Sequence, residues 1–177
     1  MTTITEPNVQ PSEDQYMTRF IAALCGLGLA SVLIVAPAHA AQDAEDFIKQ
    51  AIRGNIAEIR MGELAEKQGK NPRVQEFGKT LSSDHGKAKA KAVELAKDMN
   101  VDPPTKPSEE AQETYDRLAK LSGDKFDREF ISVAVKDHKK DIEAYSKQAK
   151  NGDNKKVAEY ADETLPILKK HLDMAQK

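Results

Sequence analysis

The chain has 177 residues, 39% hydrophobic and 32% charged, with 27 Lys and Arg against 29 Asp and Glu. That balance describes one globular domain and excludes a disordered chain or one embedded in a membrane along its length. The near-zero net charge gives no electrostatic footing for nucleic acid as a partner, nor for an anionic lipid surface.

The one strongly apolar run, Phe20 to Ala38, follows Arg19 and closes on Ala38-His39-Ala40, a small-x-small cleavage pattern. Residues 1–40 are therefore expected to be a secretory signal peptide cut after Ala40, sending the remainder to the periplasm or out of the cell without strong membrane contact. The alternative is a retained N-terminal membrane anchor, because about 18 apolar residues begin to span a bilayer. Met17 heads a compact leader, Met-Thr-Arg-Phe, and is the alternative start. Cys25 is the single cysteine and lies in the leader behind Leu24, where a lipoprotein signal would place a small residue. Residues 41–177 thus carry neither a disulfide nor a thiolate metal ligand.

The first helix is expected over about residues 43–68, capped by Asp43 and stopped by Gly69. Phe47, Ala51, Asn55, Glu58, Gly62 and Ala65 recur at three- and four-residue steps, with Ile48, Ile52, Ile56 and Ile59 widening the stripe. A carboxylate on such a face must be paired, protonated or bound to something, because burying it alone costs several kcal/mol. Glu58 is that carboxylate, with surface pairing at the edge of the stripe as the plainer reading. Gly54 and Gly62, one turn to either side, would let a partner helix or a ligand come close.

Asn71-Pro72 opens a second helix, over about residues 72–100. Its seam is Val74, Phe77, Leu81, His85, Ala88, Ala92, Leu95 and Met99, which puts His85 at a core position. Asp102-Pro103-Pro104 and Pro107 then break the pattern. A short crossover helix, about residues 108–121, follows Ser108 and closes at Ser122-Gly123. The connection is long enough to run along a bundle, so the second and third main helices need not be joined by a tight turn.

The third main helix, about residues 124–150, carries Ile131, Ala134, His138, Ile142, Tyr145 and Ala149 on its seam, with Asp141 one turn beyond His138. The fourth, about residues 153–176, is capped by Asp153, interrupted by Pro166 and carries His171. Two of these helices share a pattern: Phe77 precedes Asp84-His85 as Phe130 precedes Asp137-His138.

One histidine on an apolar stripe is usually a core residue bonded to a neighbouring carboxylate or carbonyl. Here His85, His138 and His171 are all the histidines of residues 41–177, and each faces a seam. Bundles build metal sites from inward side chains on facing helices. Neutral imidazoles with a carboxylate suit a single zinc, copper, iron or manganese ion. The expected ligands are His85, His138, His171 and Glu58, with Asp141 in reserve. Asp84 and Asp137, about 100° around the helix from their histidines, are expected to support neighbouring helices rather than coordinate. A di-iron carboxylate centre needs Glu-x-x-His on two helices, and positions 82, 135 and 168 are Ser, Val and Leu. No nucleophilic triad or phosphate-binding glycine loop is present, so nothing marks the chain as an enzyme. The rival reading is a non-catalytic helical module of the cell envelope, its Asp-His pairs serving as core hydrogen bonds. Self-association and an envelope partner stay open.

The runs Phe47-x3-Ala51-x2-Gly54-Asn55-x2-Glu58, Asn71-Pro72-x-Val74-x2-Phe77, Asp84-His85, Leu121-Ser122-Gly123-x2-Phe126-Asp127-Arg128, Asp137-His138 and Thr164-Leu165-Pro166-x-Leu168-x2-His171-Leu172 resemble the bacterial secreted domain-of-unknown-function family 4142. The resemblance covers nearly all of residues 41–177. It implies an all-α, ferritin-like four-helix bundle with a short crossover helix, exported to the periplasm. Members are often labelled predicted outer-membrane proteins, but a helical chain without strand alternation gives no support to a barrel. The family brings no established activity.

Overall fold

The computed structural model describes residues 38–177, with side chains from residue 43 onward. The expected leader lies almost wholly outside the described residues. Five helices follow in order: α1 (Ala38–Gln68), α2 (Pro72–Asp98), α3 (Glu109–Leu118), α4 (Gly123–Asn151) and α5 (Lys155–Ala175). Among the described residues there is no strand, and no helix is long and apolar enough to cross a membrane.

The helix ends follow from local chemistry. Asn71 accepts a hydrogen bond from the Arg73 N–H at 2.9 Å, and Pro72 occupies the first turn, where no backbone donor is needed. At the other end of α2, Asn100 adopts φ 56°, and the Val101 N–H reaches back to the Ala96 carbonyl at 2.8 Å, closing a Schellman turn. Two ends differ from expectation. The α1 helix is already formed at Ala38, the first described residue, ahead of the expected cap at Asp43, because the intervening alanines are strong helix formers. The cap of α5 is Asn154, one residue past Asp153, with its side chain accepting from the Val157 N–H at 3.2 Å. Pro166 sits inside α5 without ending it.

The long helices pair as two hairpins, α1 with α2 and α4 with α5, and the pairs meet through α2–α5 and α1–α4 contacts. Two hydrophobic cores fill the interior. One gathers Ile48 and Ile52 of α1, Ala92 and Leu95 of α2, Tyr145 of α4 and Val157 and Leu168 of α5. The other gathers Met61, Phe77, Leu81, Phe126, Phe130 and Ala175. Reading each helix through both cores gives its direction: α1 and α5 run from the first core to the second, α2 and α4 the opposite way. The segment between α2 and α4 must therefore travel the length of the hairpins, and α3 lies along it. Arg60 fastens α3 to α1, stacking on the Tyr115 ring at 4.3 Å and donating to the Gln112 side chain.

The α1–α2 crossing depends on two glycines. A Cβ at Gly78 would meet the Gly62 carbonyl at 2.5 Å and the Glu66 nitrogen at 2.8 Å, and one at Gly62 would meet the Gly78 carbonyl at 2.5 Å. Gly78→Ala is expected to push the helices apart at a cost of roughly 1–3 kcal/mol. A Cβ at Gly54 would meet no neighbour within 4 Å outside its own helix backbone, so Gly54→Ala should instead gain roughly 0.5–1 kcal/mol of helix propensity. Urea unfolding of the two variants checks the pair; equal midpoints would remove the close-approach argument.

Candidate metal centre

Where the two cores meet, each long helix contributes one polar side chain: Asn55 from α1, His85 from α2, His138 from α4 and His171 from α5. All four are buried, His138 and His171 completely. The layer sits two helical turns from the Phe77–Phe130 contact, whose ring centroids are 5.9 Å apart. This explains the repeated Phe-to-His spacing, because α2 and α4 run in the same direction and bring equivalent positions to the same level.

One ligand nitrogen from each of His85, His138 and His171 lies within 4.8 Å of one from the others. Hydrogen bonding fixes which nitrogen of each neutral ring is free. His138 Nδ1 lies 2.9 Å from the Ala134 carbonyl, which can only accept, so Nδ1 carries the proton and Nε2 is bare. His171 Nε2 lies 3.3 Å from the Asp84 carboxylate and donates to it, leaving Nδ1 bare. Asn55 donates its amide to the Ala51 carbonyl at 2.7 Å and the Tyr160 hydroxyl at 3.2 Å, so its oxygen accepts from His85 Nδ1 at 2.8 Å. His85 Nε2 is therefore bare as well, and it has no partner at all.

The bare Nε2 of His138 and bare Nδ1 of His171 face each other at 3.3 Å. In the neutral state neither can donate to the other. Two nitrogens bound to one zinc ion at about 2.0–2.1 Å in a tetrahedron stand about 3.3–3.4 Å apart.

Burial keeps these imidazoles neutral. It pushes His85 well below the usual histidine range, helped by His138 and His171, and lowers His138 to about 4, again with His171 contributing. His171 is lowered by burial too, with Asp84 opposing. Burial alone would raise Asp84, but hydrogen bonds from Lys87 and His171 outweigh it and hold the carboxyl low, so it is an acceptor at neutral pH. Each ring thus has its outer N–H held by a carboxylate, an amide oxygen or a backbone carbonyl, as is general for metal-binding histidines.

The acidic residues divide between two places. Asp84 backs His171, whereas Glu58, Asp137 and Asp141 line a separate cavity of about 370 Å³ between α1, α3 and α4. Among the described residues, neither Glu58 nor Asp141 falls in the group close enough to share one ion. Glu58 is only 3% exposed, and its carboxyl is raised well above the usual range by burial and then by Asp141 and Asp137. Asp141 is raised to about 6 by burial and Asp137, with Lys140 opposing, and Asp137 is raised by burial against Lys136 and Lys140. The supporting roles of Asn55, Tyr160 and the Ala134 carbonyl are not in the sequence reading. Asn55 does give a signal there, since an amide on an apolar stripe must be satisfied by something.

These features define the class: an all-α domain of two paired-helix hairpins around a buried three-histidine layer. The chain belongs to the family described as Domain of unknown function (DUF4142), which it matches over residues 33–177. A similar fold is found in the crystal structure of a DUF305 fragment from Deinococcus radiodurans, with a TM-score of 0.66 and 8% sequence identity over 76% of this chain and 93% of that one. No protein of curated function matches the chain.

Proposed function

We propose that this is a ferritin-like four-helix bundle, exported to the periplasm, that binds a single transition-metal ion through His85, His138 and His171. The observation that carries the reading is the pair of bare nitrogens facing each other at 3.3 Å, with every outer N–H already taken. A cation between them turns a repulsive contact into two bonds and gives the unpartnered His85 Nε2 a partner. The three-nitrogen set spans up to 4.8 Å, so binding draws His85 toward the other two rings. Three neutral imidazoles favour zinc or copper over the harder manganese and magnesium. Three protein ligands leave a fourth position for water or a small ligand.

Protein purified without a histidine tag, stripped with chelator and reloaded with zinc, is expected to hold about one equivalent by elemental analysis and to melt higher than the stripped protein. Less than about a tenth of an equivalent after loading with zinc, and after loading with copper, would overturn the proposal.

A further inference from the structure

We propose that the carboxylate-lined cavity between α1, α3 and α4 is the route by which a divalent cation reaches the three imidazoles, with Asp141 passing the ion inward. The proposal rests on the metal-binding reading above and adds how the buried centre is filled.

The three rings are sealed from solvent, with His85 only 5% exposed and the other two fully covered. An ion therefore needs a path through the protein. The outer cavity presents Glu58, Asp137 and Asp141. Glu58 is almost completely buried, and burial favours the protonated form of its carboxyl. A second cavity of about 60 Å³ adjoins it, lined by Asn55, His85, Asp141 and Tyr145 and, toward the surface, by the exposed Gln50 and Ala144. The two spaces share Gly54 and Asp141, and the smaller one is bounded by His85, whose Nε2 is buried without a partner. Oxygen donors thus lead to the ring of His85. Gly54 has no atom within 4 Å of where a Cβ would stand, so the wall beside Asp141 is open.

The donor chemistry sets the direction of travel. Carboxylate oxygens attract a late first-row divalent ion from water but hold it less strongly than imidazole nitrogens do. An acid-lined cleft with low-dielectric walls concentrates cations, raising association rates by about 10–10³-fold. Lys136 and Lys140 also line the outer cavity and moderate that attraction.

The test uses the full chain and cobalt(II) alone as a spectroscopic probe, with loading followed by stopped-flow absorbance and affinity by equilibrium titration. Asp141→Asn removes a charge, Glu58→Gln exchanges one uncharged side chain for another, and Gly54→Leu fills the opening. For Asp141→Asn and Gly54→Leu the loading rate is expected to fall about 10-fold or more, with equilibrium affinity changed by less than about 3-fold because release slows in step. Asp141→Asn should also weaken the dependence of loading on salt, whereas Glu58→Gln should leave that dependence unchanged. Loading as fast as wild type in the Asp141 and Gly54 variants overturns the route and leaves the histidine centre standing. Faster cobalt release with proportionally weaker binding in Asp141→Asn overturns it too, by making Asp141 a ligand. A wild type that takes up neither cobalt, zinc nor copper fails at the earlier step and removes both proposals.

Discussion

Replacing His138 by leucine is expected to make the metal-free protein more stable at neutral pH while abolishing the rise in melting temperature that zinc gives the wild type. His138 is fully buried, and its bare Nε2 faces the bare Nδ1 of His171 at 3.3 Å. A buried polar atom without a partner costs about 1–3 kcal/mol, and leucine removes one of the two. The Nδ1–H bond to the Ala134 carbonyl is also lost. That carbonyl lies inside a helix and accepts the backbone N–H four residues on, so the loss leaves no orphan. The expected gain in the metal-free state is about 1–3 kcal/mol, a few degrees for a domain of this size. The rival account, in which the histidines are internal hydrogen bonds that fix the packing, requires the opposite sign. A lower melting temperature for His138→Leu, together with no zinc response in wild type, would favour that account.

The sequence carries the periodicity but not the angular choice between two interiors. On α2 the three- and four-residue steps from Val74 to Leu95 pass through His85, and all seven of those seam positions are buried. The same logic places His138 and His171 inward. The crossover is legible as well, because two prolines after Asp102 and another at 107 break the helical pattern between two helices that share the Phe-to-His spacing. Glu58 is harder. It follows Asn55 by three residues, about 60° around α1, and both lie on one broad stripe. In the folded protein Asn55 takes the centre between the two hairpins, while Glu58 turns into the cavity walled by α3. A periodic pattern places both inside and cannot say which interior each enters; only the packing of α3 decides that. Asp137 and Asp141 sit about 100° and 60° from His138 in the same rotational sense, so both follow Glu58 into that cavity, with Asp141, the nearer in angle, also bordering the small space beside His85. Asp84 is offset from His85 just as Asp137 is from His138, yet it backs His171 because α2 has α5 for a neighbour on that side. Asn55 reaches His85 and Tyr160 across 30 and 105 residues, distances at which no local pattern speaks.

Acidification of the metal-free protein is expected to split two variants in opposite directions, with the wild type between them. His138 has a pKa of about 4 when folded, against 6.5 ordinarily. As pH falls below 6.5 the unfolded chain binds this proton first, so stability present above that pH is lost on the way to about 4, by roughly 3 kcal/mol. His85 and His171, both lowered, add to the loss. Asp141 does the reverse. Its pKa of about 6 lies above the ordinary 3.8, so the folded state binds the proton first and stability rises as pH falls from about 6 to 3.8, by roughly 2–3 kcal/mol. Glu58 and Asp137, both raised, act in the same sense, while Asp84, held low, loses its contribution only in stronger acid. Asp141→Asn removes one offsetting gain, so its stability should start above wild type at pH 7 and drop more steeply toward pH 4. His138→Leu removes one loss and should drop less steeply or climb. Urea unfolding of the three proteins at pH 7, 5.5 and 4 measures this; parallel profiles would mean that neither group is shifted by burial. The zinc-loaded wild type supplies a further contrast. Burial lowers all three imidazoles before the ion arrives, so fewer protons are released on binding than at an exposed site and zinc affinity should fall less steeply as pH drops below 7. Exposed histidine sites, with ordinary pKa values, lose metal across that range.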